Sequence, residues 1–168
     1  MPHDQQFERV AHAYRGALQR LAAAYEPDAH EQEDLVQDIL FALWRSLPSF
    51  RGECSERTFV YRVAHNRALT HRRRLPRRGE ELARADAVAD PRADPAERAE
   101  AVQRREYLLD AVRRLPRAYR QVVALRLEDL SNAEIAEVLG VNENTVAIRL
   151  TRARKALAEL MHEEWSNA

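Results

Sequence analysis

Phe59, Arg62, Asn66, Thr70 and Arg73 follow one another at intervals of three or four residues. A helix would therefore gather an aromatic ring, an amide, a hydroxyl and two cations into one narrow arc. That set suits unpaired nucleic-acid bases. Rings stack on bases for roughly 1–3 kcal/mol each, cations track the backbone, and an amide reads an exposed base edge. The arc lies within Arg57 to Arg78, which holds Arg57, Arg62, Arg67, Arg72, Arg73, Arg74, Arg77 and Arg78 and no acid. Such a run is a candidate phosphate-binding face. Either Phe59 or Tyr61 would fit equally well in a core, but a core has no use for Asn66 among the arginines.

A second constellation stands near the C-terminus. Ser131-Asn132-Ala133-Glu134 has the spacing of a capping box, in which the serine hydroxyl and the glutamate carboxylate each satisfy the other's backbone amide. Ile135, Ala136, Val138 and Leu139 follow, then Gly140 for a sharp turn, then Val141 and Asn142 as the cap of a second helix. On that helix Val146, Leu150, Ala153, Leu157 and Leu160 share one stripe. Thr145, Ile148, Arg149, Arg152 and Lys155 lie on the other side. A small Ala136, Gly140 four residues later and Val146 six further give the spacing of a helix-turn-helix whose second helix enters a major groove. A plain helical hairpin would require neither the short turn nor the cluster Arg149, Arg152, Arg154 and Lys155.

A third feature is acidic. Leu35, Ile39, Leu43 and Leu47 form an apolar stripe, which turns Asp34, Asp38 and Arg45 onto a different face. That face is either plain solvated surface or a dock for a basic helical partner.

Other chemistries find no support. There is no glycine-rich phosphate loop, and His12, His30, His65 and His71 lack metal-ligand spacing, so we expect no enzyme, no cofactor and no metal. Cys54 is the single cysteine, which excludes an internal disulfide and reads as an inert thiol. Twenty-seven basic and 27 acidic residues cancel. The charge is unevenly placed, with acids crowding His30–Asp38 and Glu80–Glu100. Met1 to Arg20 lacks the apolar run of a signal peptide or membrane span, so we expect a cytoplasmic chain without membrane insertion.

The elements that must hold these groups are helical. Ala, Leu, Arg and Glu dominate and no long apolar/polar alternation occurs, so the expected fold is all-α, with no sheet. Apolar residues recur at helical spacing from Phe7 to Leu75, broken near Glu26-Pro27-Asp28 and near Leu47 to Gly52, which gives three helices in a first domain, 1–75. Residues 76–100 carry almost no large apolar side chain and read as a flexible linker. Val102, Leu108, Leu109, Val112 and Leu115 open a second small helical domain, 101–168. A helix restarting at Pro116 and the helix-turn-helix, running toward Met161, complete it. Each half is small for an independent core, so some dependence on a partner surface is expected. The polar linker suggests that the halves pack loosely, or against a regulatory protein.

Glu33-Asp34-Leu35-Val36-Gln37-Asp38, Leu43-Trp44-Arg45, Ser49-Phe50-Arg51-Gly52-Glu53 and Thr58 through Asn66 resemble the first conserved domain of bacterial extracytoplasmic-function sigma factors, of the sigma-70 family. Leu115 to Arg120, Ile135 to Gly140, Thr145-Val146, Arg149-Leu150 and Arg152-Ala153-Arg154 resemble the second. The likeness covers nearly the whole chain outside the linker. It implies an alternative sigma factor that brings core RNA polymerase to specific promoters. Glu33, Asp34, Gln37 and Asp38 would dock on the β′ coiled coil, and the second domain would sit by the β flap. Phe50, Arg51, Ser55, Phe59, Tyr61, Arg62, Asn66, Arg67 and Arg73 would read the minus-ten element as melted strand, the loop from Phe50 to Ser55 capturing a flipped base. Asn144, Thr145, Ala147, Ile148, Arg149, Thr151, Arg152 and Lys155 would read the minus-thirty-five element as duplex. Ala147 and Ile148 stand where relatives often carry basic or hydroxyl side chains, and would offer apolar contact to thymine methyls instead. The resemblance also implies regulation by an anti-sigma factor or another regulatory protein.

The rival reading is a regulator of the LuxR type, because Leu130 to Ala136 also resembles that DNA-binding domain. Such a regulator needs a receiver or ligand pocket ahead of it, and an arginine-rich helical first half leaves little room for one. An adaptor that binds only protein would show no salt-dependent DNA binding.

Overall fold

In the computed structural model the backbone is described for residues 3–74 and 94–166, and side chains for 3–71 and 94–162. Most of the expected linker, 76–100, therefore lies outside the described residues. Within them the chain is helical, with no strand, and no helix is long and apolar enough to cross a membrane.

Helix α1, His3–Tyr25, buries Val10, Leu18, Leu21, Ala22 and Tyr25 along one side. Pro27 stops it. Asp28 then caps α2, Ala29–Ser46, by accepting from the amides of His30 (2.9 Å) and Glu31 (3.0 Å). The apolar stripe of α2 is fully buried at Leu35, Ile39 and Leu43 and continues to Leu47, in a single 3-10 turn over Leu47–Ser49. A short loop leads to α3, Glu56–Arg74, whose start is capped where Ser55 Oγ accepts from the Thr58 amide (3.0 Å). Val60, Tyr61, Ala64 and Ala68 form the buried side of α3, at steps of one, three and four residues.

The second half begins earlier than the composition suggested. Asp94 accepts from the Ala96 amide and Pro95 occupies the first turn of α4, Pro95–Arg114, so residues 95–100 are helix and not linker. A proline at that position loses no hydrogen bond, and its fixed φ favours the start. Helix α5, Arg117–Arg126, follows Pro116 and buries Val122, Val123, Ala124 and Leu125. Helices α6, Asn132–Leu139, and α7, Glu143–Ser166, form the helix-turn-helix, the latter running five residues past Met161. The expected capping box is present. Glu134 N donates to Ser131 Oγ (3.2 Å) and Ser131 N donates to Glu134 Oε2 (2.8 Å), which holds the Glu134 carboxyl below its ordinary range. Asn142 Oδ1 accepts from the Thr145 amide (2.8 Å).

Gly140 ends α6 with φ +67, and a Cβ there would meet no atom within 4 Å. The penalty for a side chain is thus one of backbone conformation alone. Gly140→Ala is expected to lower stability by about 1–2 kcal/mol, and Gly140→Asn by less, as a shift in urea midpoint at unchanged slope would show.

The halves do not pack loosely. Their buried apolar residues, from Val10 to Ala153, form one continuous cluster. Helix α1 lies against α4 and α5, and α3 against α6. Arg113 Nε, on α4, donates to the Ala23 carbonyl of α1 (2.9 Å), and burial pushes its guanidinium pKa down. Each half thus contributes apolar side chains to a core shared with the other.

Candidate nucleic-acid interface

Burial of Leu35, Ile39 and Leu43 dictates what α2 shows to solvent. Glu33, Asp34 and Gln37 are exposed on its outer face, as expected. Asp38 is half-buried at the edge of that face, its Oδ2 3.3 Å from His71 Nδ1 of α3, while His71 Nε2 lies 3.5 Å from Glu31 Oε2. The same face carries two aromatics that the sequence reading left unassigned. Phe41 (56% exposed) and Trp44 (42% exposed) stack with centroids 6.3 Å apart. The His3 ring meets Trp44 edge-on at 5.2 Å, and Arg45 lies 5.9 Å over Phe41. Exposed rings this large beside carboxylates make a surface with both charge and apolar area to offer a partner.

On α3 the burial of Val60, Ala64 and Ala68 turns the opposite side outward. Asn66 and Thr70 are exposed there, and Phe59, Arg62 and Arg67 are half-buried. Phe59 is steadied by Phe50, the rings 4.7 Å apart. Arg51 and Ser55 are exposed on the loop between, where Gly52 has φ +76. Asn66, Arg67 and Thr70, with Val63 and with Ala42 and Ser46 of α2, line a shallow groove between the two helices. The side chain of Arg73 lies outside the described residues, as do those of Arg72 and Arg74 and the whole of Arg77 and Arg78.

Tyr61 is the exception among the expected base-reading residues. It is 3% exposed, and its hydroxyl donates to Glu128 Oε2 (3.2 Å). The reason is periodicity: two residues from Phe59, it falls on nearly the opposite side of a helix. Burial and the Glu128 carboxylate both push its phenol pKa upward. Arg62 also turns toward the second half, donating to the Glu137 carbonyl (3.2 Å). His65, beside Tyr61, is buried and pairs with Tyr25, Oη to Nδ1 3.2 Å. Burial, reinforced by the Arg117 charge, lowers its pKa to about 4.

On α7 the buried stripe is Val146, Leu150 and Ala153. Asn144, Ile148 (43% exposed), Thr151, Arg152 and Lys155 are exposed on the opposite side, with Thr145, Ala147 and Arg149 half-buried at its margins. Ala147, Ile148, Thr151 and Arg152 line a shallow depression. The surface is thus apolar and hydroxylic at its middle and cationic along its length, which fits base edges between phosphate rows. Among the described residues, no group of three or more His, Cys, Asp or Glu is placed to hold a metal ion.

Residues 10–78 match the family Sigma-70 region 2, and residues 105–157 match Sigma-70, region 4. The ECF RNA polymerase sigma factor SigM of Mycobacterium tuberculosis is 33% identical over 157 residues, 92% of this chain and 76% of that protein. The ECF RNA polymerase sigma-E factor of Escherichia coli is 28% identical over 161 residues, 90% and 84% of the two chains. In fold the chain is similar to the sigma factor RpoE solved with the anti-sigma factor NepR from Bartonella quintana, with TM-score 0.71, 19% identity and coverage of 94% and 98%. These relatives are sigma factors, not enzymes. A match of the first half to region 2 does not favour the LuxR-type reading. The chain belongs to the ECF RNA polymerase sigma factors.

Proposed function

We propose that this alternative sigma factor docks on core RNA polymerase through the outer face of α2 and reads its promoters with α3 and α7. The unit from 1 to 75 acts as region 2, and the unit from 101 to 168, extended by the helix from Pro95, acts as region 4. Glu33, Asp34, Gln37 and Asp38 meet the basic β′ coiled coil, with Phe41 and Trp44 adding apolar contact. Phe50, Arg51, Ser55, Phe59, Asn66, Arg67 and Thr70 take the melted minus-ten strand, joined by Arg62 once it leaves Glu137 and by Arg73. Unstacking a base costs only a few kcal/mol, which binding can supply without nucleotide hydrolysis. The exposed face of α7 enters the major groove of the minus-thirty-five element, near the β flap. The work is done in the cytoplasm, where the polymerase is, and an anti-sigma factor or other regulatory protein controls it.

The observation that carries this reading is the division of labour in one helix pair. Helix α2 shows acids and rings on its outer face, and α3 shows a ring, an amide, a hydroxyl and cations on its own. The test is transcription from a genomic promoter library by core polymerase, with and without the protein and an Asp34→Arg/Asp38→Arg variant. New start sites sharing two upstream elements are expected, reduced at least about tenfold in the variant, the equivalent of 1.4 kcal/mol. If core polymerase gains no start sites while the protein still binds duplex, the reading is wrong.

A further inference from the structure

Four residues line the shallow depression on the outer side of α7: Ala147, Ile148, Thr151 and Arg152. Burial of Val146, Leu150 and Ala153 turns that side outward. Ile148 is 43% exposed, and its branched Cβ leaves one dominant rotamer in a helix, so the apolar wall is held in place before anything binds. Ala147 beside it is too short to fill the space. Thr151 Oγ1 donates to the Ala147 carbonyl at 3.0 Å. That bond engages the hydroxyl's only proton, so toward solvent the oxygen offers lone pairs alone. Arg152, exposed one residue on, supplies a fork of donors. The depression is thus apolar at one end, an acceptor in the middle and a donor at the other end.

Each base pair shows the major groove its own row of groups. Thymine·adenine presents a methyl, the O4 acceptor, the N6 donor and the N7 acceptor. Cytosine·guanine presents the N4 donor and then the O6 and N7 acceptors, with a bare C–H where thymine has its methyl. Methylation of cytosine at C5 fills that place and leaves the rest of the row unchanged. The row then reads methyl, donor, acceptor, acceptor, and it meets the apolar wall, the Thr151 oxygen and the Arg152 fork in order. Thymine·adenine matches at the methyl alone, because its O4 faces another acceptor and adenine N6 opposes the guanidinium.

We propose that α7 reads a 5-methylcytosine·guanine pair, so that promoter choice by this chain depends on cytosine methylation. The proposal rests on the reading of α7 as the helix that enters the minus-thirty-five duplex. Ala147 and Ile148 take the methyl, Thr151 Oγ1 accepts from N4, and Arg152 donates to guanine O6 and N7. The methyl carries no charge, so methylation shifts the choice among sequences and leaves the salt dependence of binding as it was.

The experiment selects duplexes with the full-length protein from a random pool copied with 5-methyl-dCTP in place of dCTP, then recopies the winners with dCTP. Fluorescence anisotropy measures the affinity for both forms. Wild type is expected to hold the methylated form about fourfold more tightly, the equivalent of about 0.8 kcal/mol for one buried methyl. Exchanging the decisive pair for thymine·adenine is expected to weaken binding about tenfold, through loss of the bidentate contact to guanine. Ile148→Ala should bind methylated and unmethylated forms alike. Thr151→Val, which keeps the shape and loses the acceptor, should narrow the gap between 5-methylcytosine and thymine. Both positions are exposed, so circular dichroism should show the helix content of wild type. Equal wild-type affinity for the two forms, with binding that still falls with salt, would overturn the methyl reading and leave α7 on the DNA. A methyl preference that survives in Ile148→Ala would overturn the contact assigned to it. Winners held no more tightly than the starting pool would overturn the reading of α7 itself.

Discussion

Raising salt from 50 to 200 mM is expected to weaken binding of the full chain to a minus-thirty-five duplex by about 100-fold. The number follows from counterion release. The logarithm of affinity falls with that of salt at about −0.9 per neutralised phosphate, so four cations give a slope near −3.6. Arg149, Arg152, Arg154 and Lys155 are the four, all on α7, with Arg152, Arg154 and Lys155 exposed and Arg149 half-buried. Fluorescence anisotropy across a salt series measures the slope directly. Lys155→Gln should reduce it by about one and weaken all sequences alike. Ile148→Ala should leave the slope unchanged while reducing preference among sequences, because an apolar contact to a thymine methyl carries no counterion. A slope near zero would remove α7 from the DNA.

Acidification is expected to destabilise the chain before most carboxylates titrate. His65 is buried against Tyr25, and its pKa falls to about 4 from an ordinary 6.5. The unfolded chain therefore binds a proton on passing below pH 6.5 while the folded chain does not. Stability from this group is fully present above pH 6.5 and drains away as pH falls toward 4. The linkage amounts to about 2 kcal/mol by pH 5 and about 3 kcal/mol by pH 4. Urea denaturation at pH 7.5, 6, 5 and 4 reads it, and His65→Asn should flatten the slope between pH 6.5 and 5. An equally steep wild type and variant would assign the acid sensitivity to other groups.

The elements that were legible in the sequence are those whose causes are local. The capping box at Ser131 and Glu134, the left-handed turn at Gly140 and the stripe at Leu35, Ile39 and Leu43 each depend on residues within a turn or two. All three stand as read. The linker's end was drawn at 100 because residues 95–100 carry no large apolar side chain, although Asp94-Pro95 is a helix start signal. Tyr61 was grouped with Phe59 by chemistry, although helical periodicity alone separates them. Glu128 was invisible for a different reason. Its partners Arg20 and Tyr61 lie 108 and 67 residues away, and nothing in Leu127-Glu128-Asp129-Leu130 announces a contact that only the packing of two halves creates. The rings of Phe41 and Trp44 could have been found, since they fall at i+7 and i+10 from Asp34 on the side opposite the apolar stripe.

The single apolar cluster that runs through both halves has a thermal consequence. Separating the halves wets apolar side chains, and such a step carries a positive heat-capacity change. The attraction it must overcome weakens on cooling. The Arg20–Glu128 pair, by contrast, is lost with a free energy governed by charge hydration, which grows more favourable at low temperature. Both contributions point the same way, so the attraction between the halves is expected to weaken on cooling.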